Sequence, residues 1–265
     1  MPYHSLLSNT DKDDVKQHVG PLHLRYWEDD VLRLRATIAE KTWIGFDLDD
    51  ILHEFRRSSG TATDKVLEEI AKRCGSPILA LKGEYSRVLQ TSFDYRGERF
   101  ASVLAHFSLP QDDQFMVELL ESYEATLMTS LELKCGAVEL LSMIKDMGKK
   151  IVVITEGPQD AQERTVKGHS IEGYIDFLAT SSYFGVVKTG GLFPRVLAHL
   201  GVSPDDMANI NDNEQRDMKP ALAEGIYLIH LAEIEGVSLN TMPPRINTLR
   251  ILQCILSKDL LRPLE

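Results

Sequence analysis

The stretch Trp43-Ile44-Gly45-Phe46-Asp47-Leu48-Asp49-Asp50-Ile51-Leu52 constrains this chain more than any other. It opens as an apolar run containing Ile and Phe, which reads as a buried strand. Asp47, Asp49 and Asp50 then follow at once. In an open parallel sheet, ligands bind beyond the carboxyl ends of the strands. Acids gathered there repel one another, and burial penalises each of them. A bound cation offsets both costs, and oxygen-only donors favour Mg²⁺ held together with a substrate phosphate. The competing reading is an acidic loop that merely follows a core strand.

Downstream of this stretch, strong strand signals vanish over residues 53–132. Helical spacing replaces them. Thr63 is a candidate cap for a helix carrying Val66, Leu67, Ile70 and Ala71 on one face, closed by Gly75. Pro77 suits a first helical position before Ile78, Leu81, Tyr85, Val88 and Leu89. Phe100, Val103, Leu104 and Phe107 form another stripe, stopped by Pro110, and Met116, Val117, Leu119, Leu120 and Tyr123 a further one. This predicts a helical insertion of about 80 residues.

From about Leu131 the pattern alternates between helix and strand. Runs at Ile151–Ile154, Ile175–Thr180, Met207–Ile210 and Ile226–Leu231 read as strands, with helices at Ala137–Ile144, Gln159–Val166, Phe193–Leu200 and Leu249–Leu256. Repeated β-α units imply an α/β fold: a Rossmann-like parallel sheet with helices on both faces, plus the inserted helical domain. Before the first strand, Asp29 and Asp30 can start a helix bearing Val31, Leu32, Leu34 and Ile38. That helix either packs on the main domain or forms a dimer contact. The expected organisation is an N-terminal helical extension at 1–41, an α/β core at 42–52 and 133–265, and a helical domain at 53–132.

Charge narrows the partners. The formal net charge of −11 over 265 residues argues against nucleic acid or an anionic membrane. An anionic small molecule remains compatible, because a metal and a few cations can reverse the field in a pocket. No stretch approaches the roughly 18 apolar residues of a membrane span, and Met1 to Gly20 lack the apolar core of a signal peptide. Cys74, Cys135 and Cys254 are odd in number and far apart, the usage expected of reduced thiols in a cytoplasmic protein.

Polar residues at the strand ends can converge on one edge: Asp47 and Asp49, then Thr155, Lys188, and finally Asp212 with Asp217. Acids, a hydroxyl and a lysine so arranged describe a phosphate-and-Mg²⁺ site. Asp47-Leu48-Asp49-Asp50-Ile51, Thr155-Glu156-Gly157-Pro158, Lys188 and Asn211-Asp212 with Asp217 occur in the order of the four motifs of the haloacid dehalogenase-like hydrolase superfamily, which this chain resembles over about residues 42–256. That resemblance implies a Mg²⁺-dependent phosphatase for a small phosphate or diphosphate ester. Asp47 would be the nucleophile that forms an aspartyl-phosphate, and Asp49 the general acid and base. Asp47, the backbone carbonyl of Asp49, and Asp212 would hold Mg²⁺. Thr155 and Lys188 would bind the phosphoryl oxygens, with Glu156 beside them, and Asp217 would orient Lys188 or a metal-bound water. The helical insertion would be a mobile cap, from which Arg56 would reach a substrate anion. Asp49 argues against carbon–halogen cleavage, which does without that acid in this superfamily.

Three positions depart from the resembled motifs. Ile51 stands where Thr is usual, Glu156 where Asn is frequent, and Asn211 where Gly precedes the fourth-motif acid. They point to a divergent branch. Asp49-Asp50-Ile51-Leu52-His53-Glu54 also reads as Asp-Asp-x-x-x-Glu, similar to the diphosphate motif of class I terpene synthases. On that second reading the acids ionise a prenyl diphosphate such as farnesyl diphosphate, and cap residues including Ile78, Phe93, Tyr95 and Phe100 supply an apolar chamber. The third reading is a catalytically idle binding member. Substrate identity and oligomeric state have no signal in the sequence.

Overall fold

The computed structural model describes residues 24–91 and 96–257. Met1–Gly20, Phe93 and Tyr95 therefore lie outside the described residues. Contacts divide the chain into two units, one of residues up to Leu52 and from Leu133 onward, the other His53–Glu132.

The first unit is built on a six-stranded sheet of β1 (Trp43–Phe46), β2 (Lys150–Thr155), β3 (Phe177–Thr180), β4 (Met207–Asn211), β5 (Tyr227–Leu231) and β6 (Arg245–Ile246). The spatial order is β3-β2-β1-β4-β5-β6, and every named pairing is parallel. The chain thus runs outward from β1 to β3, then returns past β1 to build the other half. That reversal leaves a crevice at the carboxyl ends of β1 and β4, the position where sheets of this kind take their ligands.

Side chains alternate across each strand. Ile44 and Phe46 of β1, Ile151 and Val153 of β2, and Ala208 and Ile210 of β4 face one apolar layer. It also holds Val31, Leu34 and Ile38 of α1 (Leu24–Glu40), with residues of α6 (Ala137–Asp146) and α11 (Leu249–Leu256). Trp43, Val152, Ile154, Met207 and Leu228 face the other layer, closed by Leu192, Phe193 and Val196 of α9 (Leu192–Leu200). The N-terminal helix therefore belongs to this core, although Leu32, expected on its apolar face, is half exposed. The two-residue strand β6 carries no period for a sequence to display and was not expected.

The second unit consists of α2 (Phe55–Cys74), α3 (Ile78–Thr91), α4 (Arg96–His106) and α5 (Asp113–Thr129). Ala62, Val66, Leu67, Ile70, Leu81, Phe100, Leu119 and Tyr123 form its own core. Gly75 closes α2 in the left-handed conformation at φ 71°, its N–H donating to the Ala71 carbonyl. The start of α2 corrects the expectation from sequence. Thr63 lies inside the helix and is buried, and the helix begins at Phe55. Its first turns contain Ser58, Ser59, Gly60 and Thr61, a run of weak helix formers. Tertiary contacts hold them: the Ser58 hydroxyl donates to the Ser130 carbonyl at 2.6 Å, and Ser59 bonds the Tyr123 hydroxyl at 2.7 Å. Val117 and Leu120, counted in the apolar stripe of α5, stand in solvent.

Candidate active site

Asp47 is the first residue beyond β1, and its N–H still donates to the Ile210 carbonyl of β4 at 3.2 Å. The β1–β4 ladder therefore fixes its backbone. The loop that follows is anchored by its apolar members: Leu48, Ile51 and Leu52 are fully buried. Ile51 fills core volume where a Thr hydroxyl stands in the resembled motif. Asp50 completes the turn at φ 60°, a left-handed conformation that Asp tolerates better than most residues. Asp49, between them, is half-buried.

The Asp47 carboxylate is held at both oxygens. Its Oδ1 accepts from the Leu48 N–H at 2.8 Å and from Lys188 Nζ at 2.9 Å. Its Oδ2 lies 3.3 Å from Arg216 Nη2. Lys188 Nζ also donates to Asp217 Oδ1, and Arg216 Nε to Asp217 Oδ2 at 3.2 Å. Two acids and two cations thus form a closed ring. Carboxylate oxygens of Asp47, Asp212 and Asp217 all lie within 4.8 Å of one another. Asp47 and Asp217 are buried and Asp212 half-buried.

The titrations follow from this crowding. Burial pulls the Lys188 ammonium down, but Asp47 and Asp217 outweigh it and hold the group above the ordinary lysine value. Burial, aided by the Asp47 charge, lifts the Asp217 carboxyl above the usual range against the pull of Lys188 and Arg216. For Arg216, burial lowers and Asp217, Asp47, Glu156 and Asp212 raise, with a net rise.

The other expected residues sort themselves. Thr155 ends β2 and is buried, paired in register with Thr180 of β3. Glu156, the next residue, turns its Oε1 onto the Lys188 N–H at 2.8 Å. Its charge is thereby spent on fastening the end of β2 to the loop that carries Lys188. Asn211 is the last residue of β4, buried, and outside the positive-φ positions. A side chain there therefore costs no backbone strain. Arg56 is exposed on the first turn of α2 in the helical unit.

Arg216 is the participant that reading the sequence missed. It sits in a wide helical turn, Glu214–Met218, whose N–H groups bond carbonyls five residues back, as Met218 does to Asn213 at 3.0 Å. Asn213 Oδ1 caps the turn by accepting from the Gln215 and Arg216 N–H groups. The available signal was its place directly before Asp217.

The family model described as haloacid dehalogenase-like hydrolase matches residues 44–231. The glyceraldehyde 3-phosphate phosphatase of Pyrococcus abyssi is 22% identical over 190 residues, 70% of this chain and 79% of that protein. Among solved structures, the HAD phosphatase of Thermococcus onnurineus superposes with a TM-score of 0.63 at 19% identity, covering 83% of this chain and 100% of that one. The magnesium-bound HAD-hydrolase YfnB of Bacillus subtilis gives 0.62 at 18% identity, covering 82% and 99%.

Proposed function

The chain belongs to the haloacid dehalogenase-like hydrolase family, and from that premise we propose that it is a Mg²⁺-dependent phosphatase of small phosphate or diphosphate esters. The observation that carries this reading is the pinned carboxylate of Asp47 in the β1/β4 crevice, with Lys188 on one oxygen and two further acids beside it. The phosphatase names of the relatives support it.

Asp47 attacks phosphorus, and the bond to the leaving oxygen breaks as the aspartyl-phosphate forms. Its carboxylate is oriented before substrate arrives, because the Leu48 N–H and Lys188 fix Oδ1. Asp49 gives its proton to the departing oxygen, then takes one from the water that opens the acyl phosphate. Lys188 and the Thr155 hydroxyl receive the phosphoryl oxygens. Asp217 holds Lys188 in place, and Glu156 holds the loop beneath it.

The donor set fits Mg²⁺: carboxylate oxygens of Asp47, Asp212 and Asp217 lie within 4.8 Å of one another, and Lys188 and Arg216 pair with Asp47 and Asp217. Asp47, Asp212 and the Asp49 carbonyl would hold the ion, and Asp217 supports them. Bound there, Mg²⁺ neutralises phosphate charge so that an anionic nucleophile can approach. Residues 53–132 serve as a cap that excludes water and reads the rest of the substrate, with Arg56 as an anion contact.

The test is phosphate release from a panel of phosphomonoesters and farnesyl diphosphate with Mg²⁺. Asp47→Asn should lower kcat by about 10⁴-fold or more while the circular dichroism spectrum stays native. Unchanged release by Asp47→Asn sinks the covalent mechanism. Cyclic hydrocarbon or alcohol from farnesyl diphosphate would favour the prenyl-diphosphate reading of Asp49-Asp50 and Glu54. A chain that neither turns over nor binds Mg²⁺ by calorimetry is the idle member.

A further inference from the structure

We propose that Arg216, braced by Asp217, is a built-in counter-ion that competes with the divalent cation for the carboxylate of Asp47, and so sets the cation affinity of the site. The proposal rests on the metal assignment above. It concerns a residue for which the resembled motifs give no role.

Asp47 offers two oxygens. Oδ1 is already engaged by the Leu48 N–H and by Lys188, while Oδ2 meets the Arg216 guanidinium. The oxygen left for a cation is therefore the one that Arg216 holds. The same is true at Asp217, where Lys188 takes Oδ1 and Arg216 takes Oδ2. A cation drawing on Asp47 therefore meets the guanidinium there, while Asp217 anchors the guanidinium from its other side.

The two protein cations differ in how readily they can leave. The Lys188 side chain is 1% exposed, and its pairs with the two buried acids offset its burial. The Arg216 side chain is 42% exposed, on a capped turn at the rim of the cluster. Its planar fork can rotate into water at small solvation cost while Asn213 keeps the backbone in place. Lys188 is thus the permanent counter-ion and Arg216 the exchangeable one. With Arg216 engaged, the buried acids are neutralised without a metal. With the cation engaged, the guanidinium must withdraw, and the free energy of its two bonds is subtracted from the cation's binding.

Calorimetric titration with MgCl₂, without substrate, tests this on the full chain. Arg216→Gln should bind Mg²⁺ roughly tenfold more tightly than wild type, the loss of one charge-assisted contact with each of two acids. Arg216→Lys, which keeps a charge but cannot bridge two acids, should fall between. The Tm rise on saturation with Mg²⁺ should grow in the same order. Should Arg216→Gln fail to fold, Arg216→Lys carries the comparison alone. Equal or weaker Mg²⁺ binding by the folded variants overturns the proposal, as does an absence of binding in all three proteins. Tightened binding in a chain that releases no phosphate would uphold the proposal and reject the phosphatase. Unchanged binding in an active enzyme would do the reverse.

Discussion

Each unit buries an acid among cations, and the two clusters are balanced differently. In the helical unit, Glu84 is 7% exposed and forks onto Arg87, three residues on along α3, at 2.9 and 2.5 Å, with His106 Nδ1 3.4 Å away. The Arg87 bonds hold its carboxyl below the usual range. One acid meets one permanent cation supplied by its own helix, and the Arg87 and His106 side chains both reach water. In the α/β unit, the cations Lys188 and Arg216 face Asp47, Asp212 and Asp217, drawn from distant parts of the chain. A balanced local pair is what a structure needs to bury one charge. Acids gathered from several strands onto shared cations at a topological switch are the kind of arrangement in which ligand sites are found.

That contrast can be broken most directly at Lys188. Lys188→Met leaves Asp47 and Asp217 short of a buried counter-charge, and stability by urea unfolding should fall by about 3–5 kcal/mol. A loss below about 1 kcal/mol would place this cluster with ordinary surface pairs. The same variant carries a pH signature. A lysine whose native pKa is raised stabilises the fold fully below its unfolded value of about 10.4, and that contribution fades as pH climbs through the native value. Wild type should therefore lose stability over that alkaline window more steeply than Lys188→Met.

A second variant asks whether packing, rather than charge, sets the edge. A Cβ at Gly45 would stand 2.1 Å from Asn209 Oδ1, inside the sheet. Gly45→Ala should cost about 1–3 kcal/mol in urea unfolding. Gly45→Ala with Asn209→Ala should regain most of that loss, so a double-mutant cycle with no coupling would refute the contact. The smallest effect belongs to the helical unit: Glu84→Gln should lower Tm by less than Lys188→Met does, and the Glu84→Gln loss should shrink in high salt. A Tm loss equal to that of Lys188→Met would erase the distinction between the clusters.

How much of this was readable before the structure depends on the kind of interaction. Buried strands were plain because Ile151–Ile154 is apolar throughout and Met207–Ile210 is apolar but for Asn209, and Gly148 and Gly201 mark helix ends with positive φ at the first and αL capping at the second. The acids and Lys188 were plain because a fixed order of motifs announces them. Arg216 was not, since an arginine beside an acid is usually a solvated side chain. Neither was the structural use of Glu156, because a carboxylate that bonds a backbone N–H has no spacing to betray it. The true start of α2 was hidden because serines, a glycine and threonines there take their helix from contacts with residues 123 and 130.

Gly45 has one more consequence. It stands opposite Asn209 in the β1–β4 register, and its missing side chain is the notch that receives the buried amide. Sliding β1 by one residue would bring Ile44 or Phe46 to that notch and turn every side chain of the strand to the wrong face. The pairing thus admits a single alignment, like a key whose one cut matches one pin. Because Asp47 follows Phe46 directly, that alignment also measures out where the Asp47 carboxylate stands. A residue with no side chain is the ruler by which that carboxylate is positioned.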